Sequence, residues 1–311
     1  MQPAYSIVIP TRNGAGTLFE VLRALERQAE APPFEVVIAD DGSSDGTPER
    51  SAATRWRMPL RVVRGAALGP AAARNRGVGS AVGERVAFLG DDTVPEPDWL
   101  AEHHRAWQLR GGDDRVAVIG YTGWHPRIRR TSFRRYLNEE GLQFGFALIE
   151  DPERVPFNFF YTSNLSLARR RMADEPFDEA FPYPAWEDIE AAYRLVREGL
   201  RIVYHPAARV AHDHPTDFAR FSARQERAGY SAVVFWQRHP ELGTFLGLGP
   251  AGPPPLPPRW LQRGREALVR TLQNLPVPMR RLWSETLRYH YLAGLRRGWR
   301  ERVETGGGSS S

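Results

Sequence analysis

Two adjacent aspartates, Asp91 and Asp92, have the clearest capacity for chemistry in this sequence, because they follow directly on an apolar run. The run, residues 85–89, is typical of a short strand that is covered on both faces. Pro95 and Pro97 then end the strand and turn the chain. Open parallel sheets bind ligands outside the carboxyl ends of their strands, so a cation or a ligand hydroxyl could meet these carboxylates. Such hard oxygen donors suit Mg2+ or Mn2+, although a solvated Asp-Asp turn is the commoner use of the same residues taken alone.

A second acid pair, Asp40 and Asp41, follows another predicted strand at residues 34–39. Carboxylates at that position can accept hydrogen bonds from the N–H of a nucleotide base or from ribose hydroxyls. Because the loops after neighbouring strands of one sheet converge, one loop would serve a nucleoside and the other a metal and phosphates. Asp45, in the same loop, is better explained as the cap of the next helix.

Further candidates lie in the second half of the chain. Asp188, together with Glu187, opens a predicted helix, where the helix dipole alone is enough to explain acidic residues. A carboxylate at a helix N-terminus also stays ionised at neutral pH, which suits a catalytic base. His212 and His214 are separated by one residue on an extended segment and therefore point the same way, which would bring an imidazole to a metal. On the sequence alone, the His-x-His pair is as well explained without a metal as with one.

The elements that must position these residues alternate between strands and helices. The sequence predicts strands at residues 5–10, 34–39, 60–63, 85–89 and 116–119, with helices at 17–28, 69–81 and 98–109. This alternation predicts an α/β fold with a mostly parallel, doubly wound sheet flanked by helices. A dinucleotide fingerprint is missing, because Phe19 stands where its last glycine would be, and a Walker loop is missing because the sequence has no lysine.

The C-terminal part has a different composition. A long helix is predicted at residues 216–238, and the sheet domain is predicted to span residues 1–240. Residues 241–258 are rich in glycine and proline and are predicted to be a linker. Residues 259–303 form arginine-rich amphipathic helical segments, and residues 304–311 a flexible tail. The amphipathic pattern suits an anionic membrane surface, but packing on the sheet domain or on another subunit suits it at least as well.

Composition limits the function classes. A length of 311 residues, with 41% hydrophobic residues, is enough for one large α/β domain and an appendage. With no membrane-length apolar run and no signal-peptide pattern, we expect a cytoplasmic protein. The absence of cysteine excludes disulfides and thiolate chemistry. The net charge of +5 is spread out early and concentrated late, which argues against a nucleic-acid groove.

Several motifs together resemble family 2 glycosyltransferases of GT-A fold, in their order and spacing as well as in their residues. They cover the chain from about residue 5 to residue 238, and each motif alone is weak. The matching segments are residues 7–13, 36–47, 69–77, 88–92, 164–166, 177–179 and 186–188.

The resemblance implies an inverting transfer from a nucleotide-diphosphate sugar with Mn2+ or Mg2+. It implies that the nucleotide sugar is bound by Pro10, Thr11, Asn13, Asp41, Arg74 and Asp91. It implies that Asp188 is the catalytic base and that the metal is held by Asp92 with His212 or His214. The acceptor-side residues would be Asn164, Trp186 and Glu187. The sequence departs from the family pattern at Gly90, where many family members have an acid. The affinity for the metal would therefore rest mainly on Asp92.

The expected activity is hexosyl or deoxyhexosyl transfer to a glycan or lipid-linked acceptor, in the synthesis of a cell-surface polysaccharide or glycoconjugate. Two alternatives are a nucleotidyltransferase that makes a nucleotide sugar, and a catalytically weak module that only binds one. No nucleic-acid partner is expected. The C-terminal helices are expected to contact a membrane peripherally or to form a homo-oligomer.

Overall fold

The computed structural model describes residues 2–139, 142–173, 176–272 and 279–305. By packing, the chain divides into two compact units. The first unit consists of the segments Met1–Ile128, Phe144–Glu179 and Asp188–His214, and it contains every strand of the described sheet. The second unit consists of the segments Arg129–Gln143, Ala180–Glu187 and Pro215–Ser311.

The strands are β1 (Tyr5–Thr11), β2 (Phe34–Asp40), β3 (Leu60–Arg64), β4 (Arg85–Leu89), β5 (Thr93–Pro95), β6 (Val116–Trp124), β7 (Asn164–Ala168) and β8 (Arg201–His212). The α-helices are α1 (Leu18–Glu26), α2 (Thr47–Ala53), α3 (Pro70–Ser80), α4 (Trp99–Gln108), α5 (Ser132–Glu139), α6 (Glu187–Arg197), α7 (Phe218–Arg238), α8 (Arg259–Leu272) and α9 (Arg280–Trp299). Helices α5, α7, α8 and α9 lie in the second unit.

The strands form one curled sheet in the order β3-β2-β1-β4-β7-β6-β8-β5. The predicted parallel part is confirmed for β1 to β4, where successive strands are joined through helices. The other part is mixed, because β7 is antiparallel to both of its neighbours and β5 is antiparallel to β8. Strand β5 was not predicted: it is three residues long, ends in Pro95, and has no apolar pattern of its own.

The core of the first unit follows from the apolar patterns. Strands β2 and β4 are buried along almost their whole length, and α1 packs one apolar face against the sheet, as its helical spacing predicts. Helix α3 approaches the sheet closely because its residues are small. A β-carbon on Gly77 would lie 2.4 Å from a methyl carbon of Val8, so the helix could not lie so near with any other residue there.

In the second unit, α7 and α9 touch backbone to backbone. A β-carbon on Gly294 would lie 1.8 Å from the carbonyl oxygen of Glu226, and one on Gly229 would lie 1.9 Å from that of Tyr291. The Arg297 guanidinium also pairs with the Glu226 carboxylate at 2.9 Å. By packing, α7 and α9 belong to the same unit. The predicted domain bounds at residues 240 and 258 stay predictions.

The glycine- and proline-rich segment after α7 is packed rather than extended. Leu246 and Leu248 are buried, and the Tyr291 hydroxyl donates to the Leu246 carbonyl at 2.9 Å. The predicted helical segments at residues 259–303 correspond to α8 and α9, while most of the predicted tail, residues 306–311, lies outside the described residues. Within the described ranges, no helix combines the length and apolarity that crossing a membrane requires.

The α7–α9 contact makes a prediction about stability. Replacing Gly294 by alanine should lower the free energy of unfolding by roughly 1–3 kcal/mol, because the new methyl group meets a backbone carbonyl that cannot move away. Gly264→Ala in α8 is the matched control, since nothing lies within 4 Å of its β-carbon position. Chemical denaturation should show the control to be stabilised by up to about 1 kcal/mol. An equal change in the free energy of unfolding for both variants would contradict the backbone contact between α7 and α9.

Candidate active site

The two aspartates after β4 are brought to the end of β8 by strand pairing. Strand β5 begins directly after them and pairs with β8, so that Thr93 lies opposite His212. The backbone N–H of Asp213 extends this pairing by donating to the carbonyl of Asp92 at 2.7 Å. Residues that are distant in sequence are therefore held together by main-chain hydrogen bonds.

Asp92, His212 and His214 form a cluster with the chemistry of a metal site. One Asp92 carboxylate oxygen lies 3.3 Å from Nε2 of His212 and 3.1 Å from Nδ1 of His214. One ligand atom from each of the three residues lies within 4.8 Å of the others. A carboxylate oxygen and two imidazole nitrogens at this spacing fit a divalent cation. The predicted metal-ligating residues are thus adjacent, although their binding of an ion stays a prediction.

The two histidines differ in their surroundings. His212 is buried, with its ring against Trp124 and Phe144. Its Nδ1 atom is also buried and has no hydrogen-bond partner among the described residues. His214 is 59% exposed, and its ring is stacked on that of His212 at 5.6 Å. Burial opposes ionisation of Asp92, but the hydrogen bonds and charge of the two histidines outweigh it and lower the pKa of that carboxyl.

The neighbouring Asp91 is held by the end of β1. The Thr11 hydroxyl donates to an Asp91 carboxylate oxygen at 2.6 Å. Gly14 makes room for this pair, because a β-carbon there would lie 2.3 Å from the Thr11 hydroxyl and 2.6 Å from the Asp91 oxygen. Burial, followed by the charge of Asp92, raises the pKa of Asp91 to about 7.

The structure gives a local explanation for Gly90, which stands where many members of the resembled family have an acid. A β-carbon on Gly90 would lie 2.5 Å from the Thr93 hydroxyl, and that hydroxyl lies 3.2 Å from an Asp92 oxygen and donates to it. The space next to Asp92 that a side chain at position 90 would need is therefore occupied by a threonine hydroxyl.

An ion-pair chain that the sequence did not reveal fixes the His-x-His segment. Arg127 pairs with Asp213, the residue between the two histidines, and also with Glu20 of α1 at 2.8 Å. The hydrogen bond from Arg127 lowers the pKa of Asp213. Arg127 lies in an arginine-rich stretch, but no spacing links it to Asp213, so only the fold could show this contact.

Asp41 lies at the end of β2, next to the Thr11 carbonyl, to which its backbone N–H donates at 2.8 Å. Its carboxylate is almost fully buried and accepts hydrogen bonds from the backbone N–H groups of Leu68 and Gly69 and from Arg76. The preceding Asp40 instead accepts from backbone N–H groups of its own turn, so its role is structural.

The other residues predicted to bind the nucleotide sugar are Pro10, Asn13 and Arg74, which lie in β1, in the loop after β1 and in α3. Pro10 stands in β1 opposite Ala39 of β2. Asn13 has a left-handed φ of 55° and joins two loops, because its N–H donates to the Ser43 hydroxyl at 2.8 Å and its side-chain oxygen accepts from the N–H of Ser44. Arg74 in α3 has its guanidinium carbon 5.5 Å from the centre of the Phe177 ring.

Asp188 is linked to the aspartate loop through the segment before β7. One Asp188 oxygen lies 3.4 Å from the Thr162 hydroxyl, and the other accepts from the N–H of Ile189 at 2.9 Å. The carbonyl of Ser163, the residue after Thr162, accepts from the N–H of Gly90 at 3.4 Å. Asp188, in the first turn of α6, is therefore connected to the Gly90 end of the aspartate turn through Thr162 and Ser163.

Asn164, predicted as an acceptor-side residue, lies in the core instead. Its amide nitrogen donates to the carbonyls of Tyr121 and Ala208, and its oxygen lies 2.8 Å from the Trp99 indole nitrogen and 2.9 Å from Nε2 of His103. All of its hydrogen-bonding groups are used within the protein, which leaves none for an acceptor. Burial lowers the pKa of His103 to about 4, so this network contains a neutral imidazole.

The remaining acceptor-side candidates, Trp186 and Glu187, group with the second unit. Trp186 has a left-handed φ of 75°, which is unusual for an aromatic residue. Its indole N–H donates to the Ala228 carbonyl at 2.9 Å, and its ring contacts Phe235. These contacts hold the strained conformation, and the acceptor role of both residues stays a prediction.

The Asp92 cluster makes a prediction about metal binding. Asp92→Asn and His214→Ala should each lower Mn2+ affinity by at least about tenfold, because each removes one of three ligand atoms. Titration of free Mn2+ by electron paramagnetic resonance measures this. The control is His205→Gln, which removes an imidazole that pairs with Glu102 and keeps a hydrogen-bond donor. Unchanged affinity in both test variants would rule out this cluster as the metal site.

Comparisons with known proteins show the family and the fold of the chain. Residues 6–175, more than half of the chain, match the family described as Glycosyl transferase family 2. The pre-mycofactocin glycosyltransferase of Mycobacterium tuberculosis is 30% identical over 249 residues, which are 76% of this chain and 48% of that protein. Chondroitin synthase of Escherichia coli is 29% identical over 240 residues, which are 68% of this chain and 34% of that protein. The chain thus spans about half the length of the first of these relatives and about a third of the second.

The fold has counterparts among solved structures. The mannosyltransferase PcManGT from Pyrobaculum calidifontis, solved in complex with GDP-Man and Mn2+, matches with a TM-score of 0.60 at 19% identity. The match covers 96% of this chain and 88% of that one. The predicted GT-A fold, with C-terminal helices, is confirmed. The extent of the family match and this fold together identify the chain as a member of glycosyltransferase family 2.

Proposed function

We propose that the protein transfers a sugar from a nucleotide-diphosphate sugar to an acceptor hydroxyl with inversion at the anomeric carbon. The observation that carries this proposal is the cluster of Asp92, His212 and His214. Hydrogen bonds through Thr11 connect the adjacent Asp91 to Asp41, and contacts through Thr162 and Ser163 connect Gly90 to Asp188. An inverting transfer needs a positive charge near the leaving diphosphate and a separate base for the proton of the acceptor hydroxyl. A cation held by the cluster would supply the first, and the Asp188 carboxylate would be the second.

In the proposed mechanism, Asp188 accepts the proton of the acceptor hydroxyl as that oxygen attacks the anomeric carbon. Its position in the first turn of α6, with the Ile189 N–H on one oxygen, favours the ionised form that a base requires. Asp92, His212 and His214 would hold the divalent cation, which when bound offsets the negative charge on the diphosphate. Arg74 would add a second positive charge on the diphosphate side.

The ligand set favours Mn2+ over Mg2+ as the working cation. Two of the three ligand atoms are imidazole nitrogens, which bind Mn2+ more readily than the strongly hydrated Mg2+ that prefers oxygen ligands. The solved structure of PcManGT also contains Mn2+. The same EPR titration, run in competition with Mg2+, tests this preference.

The substrates proposed are a hexosyl or deoxyhexosyl donor and a glycan or lipid-linked acceptor. One relative of the chain is named as a chondroitin synthase, which supports a place in polysaccharide or glycoconjugate synthesis. Because the chain spans only about a third of that relative, no substrate is carried over from it. A nucleotidyltransferase would release pyrophosphate instead of a nucleoside diphosphate, so product analysis separates these activities.

The role of Asp188 makes a prediction about rate. Asp188→Asn should lower turnover by roughly 10²–10⁴-fold, because it removes the proton acceptor, while donor affinity changes little. Turnover is measured as nucleoside diphosphate release, and donor affinity by calorimetry. The control is Asp98→Asn, which neutralises an exposed aspartate that makes no capping hydrogen bond with its side chain. Near-normal turnover of the Asp188 variant would refute its assignment as the base.

We also propose that α8 contacts an anionic membrane surface. Trp260 is 74% exposed and Leu268 is 47% exposed, and exposed arginines flank them at positions 259, 263 and 270. Exposed apolar side chains amid positive charge suit the boundary between lipid headgroups and acyl chains. A homo-oligomer through the same helix is the competing prediction, and gel filtration distinguishes it. The cytoplasmic location stays a prediction.

Liposome flotation tests the membrane proposal. The double variant Trp260→Ser with Leu268→Ser should reduce the fraction bound to phosphatidylserine vesicles several-fold, and added salt should weaken wild-type binding because Coulomb attraction is screened. The control is Leu109→Ser, which removes a leucine that is 72% exposed in the other unit. Equal flotation of wild type and double variant would exclude this helix face as the contact.

A further inference from the structure

The hydrogen bonds already made by Asp41 restrict the base that it can recognise. A carboxylate has two oxygens and about four positions at which it can accept hydrogen bonds. One Asp41 oxygen, Oδ1, accepts from the Leu68 N–H at 3.0 Å and from the Arg76 guanidinium at 3.2 Å. The other, Oδ2, accepts from the Gly69 N–H at 2.8 Å. Among the described residues, these donors use both accepting positions of Oδ1 and leave one accepting position on Oδ2.

The arrangement of donors around Asp41 is built into the fold. Gly65 leaves the space that the Arg76 guanidinium fills, because a β-carbon there would lie 1.9 Å from a guanidinium nitrogen. The Leu68 and Gly69 donors belong to the loop before α3, and their N–H groups cannot turn away without moving the backbone. When a ligand reaches the Asp41 carboxylate, Oδ1 already accepts two hydrogen bonds and Oδ2 already accepts one.

We infer that the donor nucleotide carries uracil or thymine, because Asp41 can accept one more hydrogen bond but not two parallel ones. Uracil and thymine present a single ring N–H between two carbonyl groups, which matches one free position on Oδ2. Guanine presents two parallel N–H groups that pair with both oxygens of a carboxylate, and here Oδ1 has no position left. Adenine and cytosine present an unprotonated ring nitrogen beside their amino group, which the carboxylate repels.

Two neighbouring side chains complete such a base site. Leu68, whose N–H bonds to Asp41, is 60% exposed, which is unusual for a leucine and provides an apolar surface for the face of a base. The Arg76 side chain is 27% exposed, so part of its guanidinium is available to a base carbonyl. Arg76 would suit the carbonyl next to the ring N–H, which uracil and thymine present and guanine shares, so the choice against guanine rests on the Asp41 oxygens alone.

This inference rests on the proposed function, and its test separates the two. UDP, dTDP, GDP and ADP are titrated by calorimetry into the 311-residue chain with MnCl2. We expect UDP and dTDP to bind at least about tenfold more tightly than GDP, since guanine would leave a buried N–H without a partner. Equal or tighter binding of GDP would overturn the inference and leave the proposed function standing. Absence of binding by all four nucleotides would overturn both.

A variant tests the role of the saturated oxygen directly. Arg76→Met frees one accepting position on Oδ1 and keeps the Asp41 carboxylate and its backbone donors. The ratio of UDP to GDP affinity should fall by at least about threefold, because guanine gains a second acceptor. The matched control is Arg64→Met, which removes an exposed arginine paired with Glu49 and should leave the ratio unchanged. A ratio that falls no further in Arg76→Met than in the control would overturn the inference.

Discussion

The pairing of β5 with β8 is the interaction on which the candidate active site depends. Three residues that carry no strand pattern of their own become a strand because β8 offers free backbone groups at that edge. Strand β4 is fourth in the order of the sheet and ends at Leu89. The next strand along the chain, β5, begins at Thr93 but lies at the edge of the sheet, eighth in the order. The sheet must curl for this to happen, and the turn between the two strands carries both aspartates.

The turn between β4 and β5 places two carboxylates next to each other, and nearby side chains must offset their repulsion. Asp91 and Asp92 stand side by side in a partly buried turn, and their neighbours differ. Asp92 is surrounded by two imidazoles that favour its ionised form, whereas Asp91 has one threonine hydroxyl and a raised pKa. Thr93 takes the place next to Asp92 that a third acid would have filled, so local repulsion is lower than in a run of three acids.

The sequence was sufficient for the parts of the fold that depend on local pattern. Strands β1 to β4 and helix α1 were predicted because alternating apolar runs and helical spacing are visible in single segments. The antiparallel insertion of β7 and the pairing of β5 were not, because they depend on partners far along the chain. The same limit applies to side chains: Arg127 meets Asp213 only in the folded chain, and Asn164 looked like a binding residue although its amide holds core carbonyls.

The order of Asp92, His212 and His214 along the chain has a consequence for biosynthesis. His214 follows Asp92 by 122 residues, and the strand that carries the histidines to the aspartates is the last strand of the sheet. A ribosome therefore releases the segments of Asp41, Asp91 and Asp92 well before it has made the two imidazoles. During that interval the nascent chain has an unfinished sheet edge, and the cluster of Asp92, His212 and His214 forms only when β8 emerges and pairs with β5 and β6.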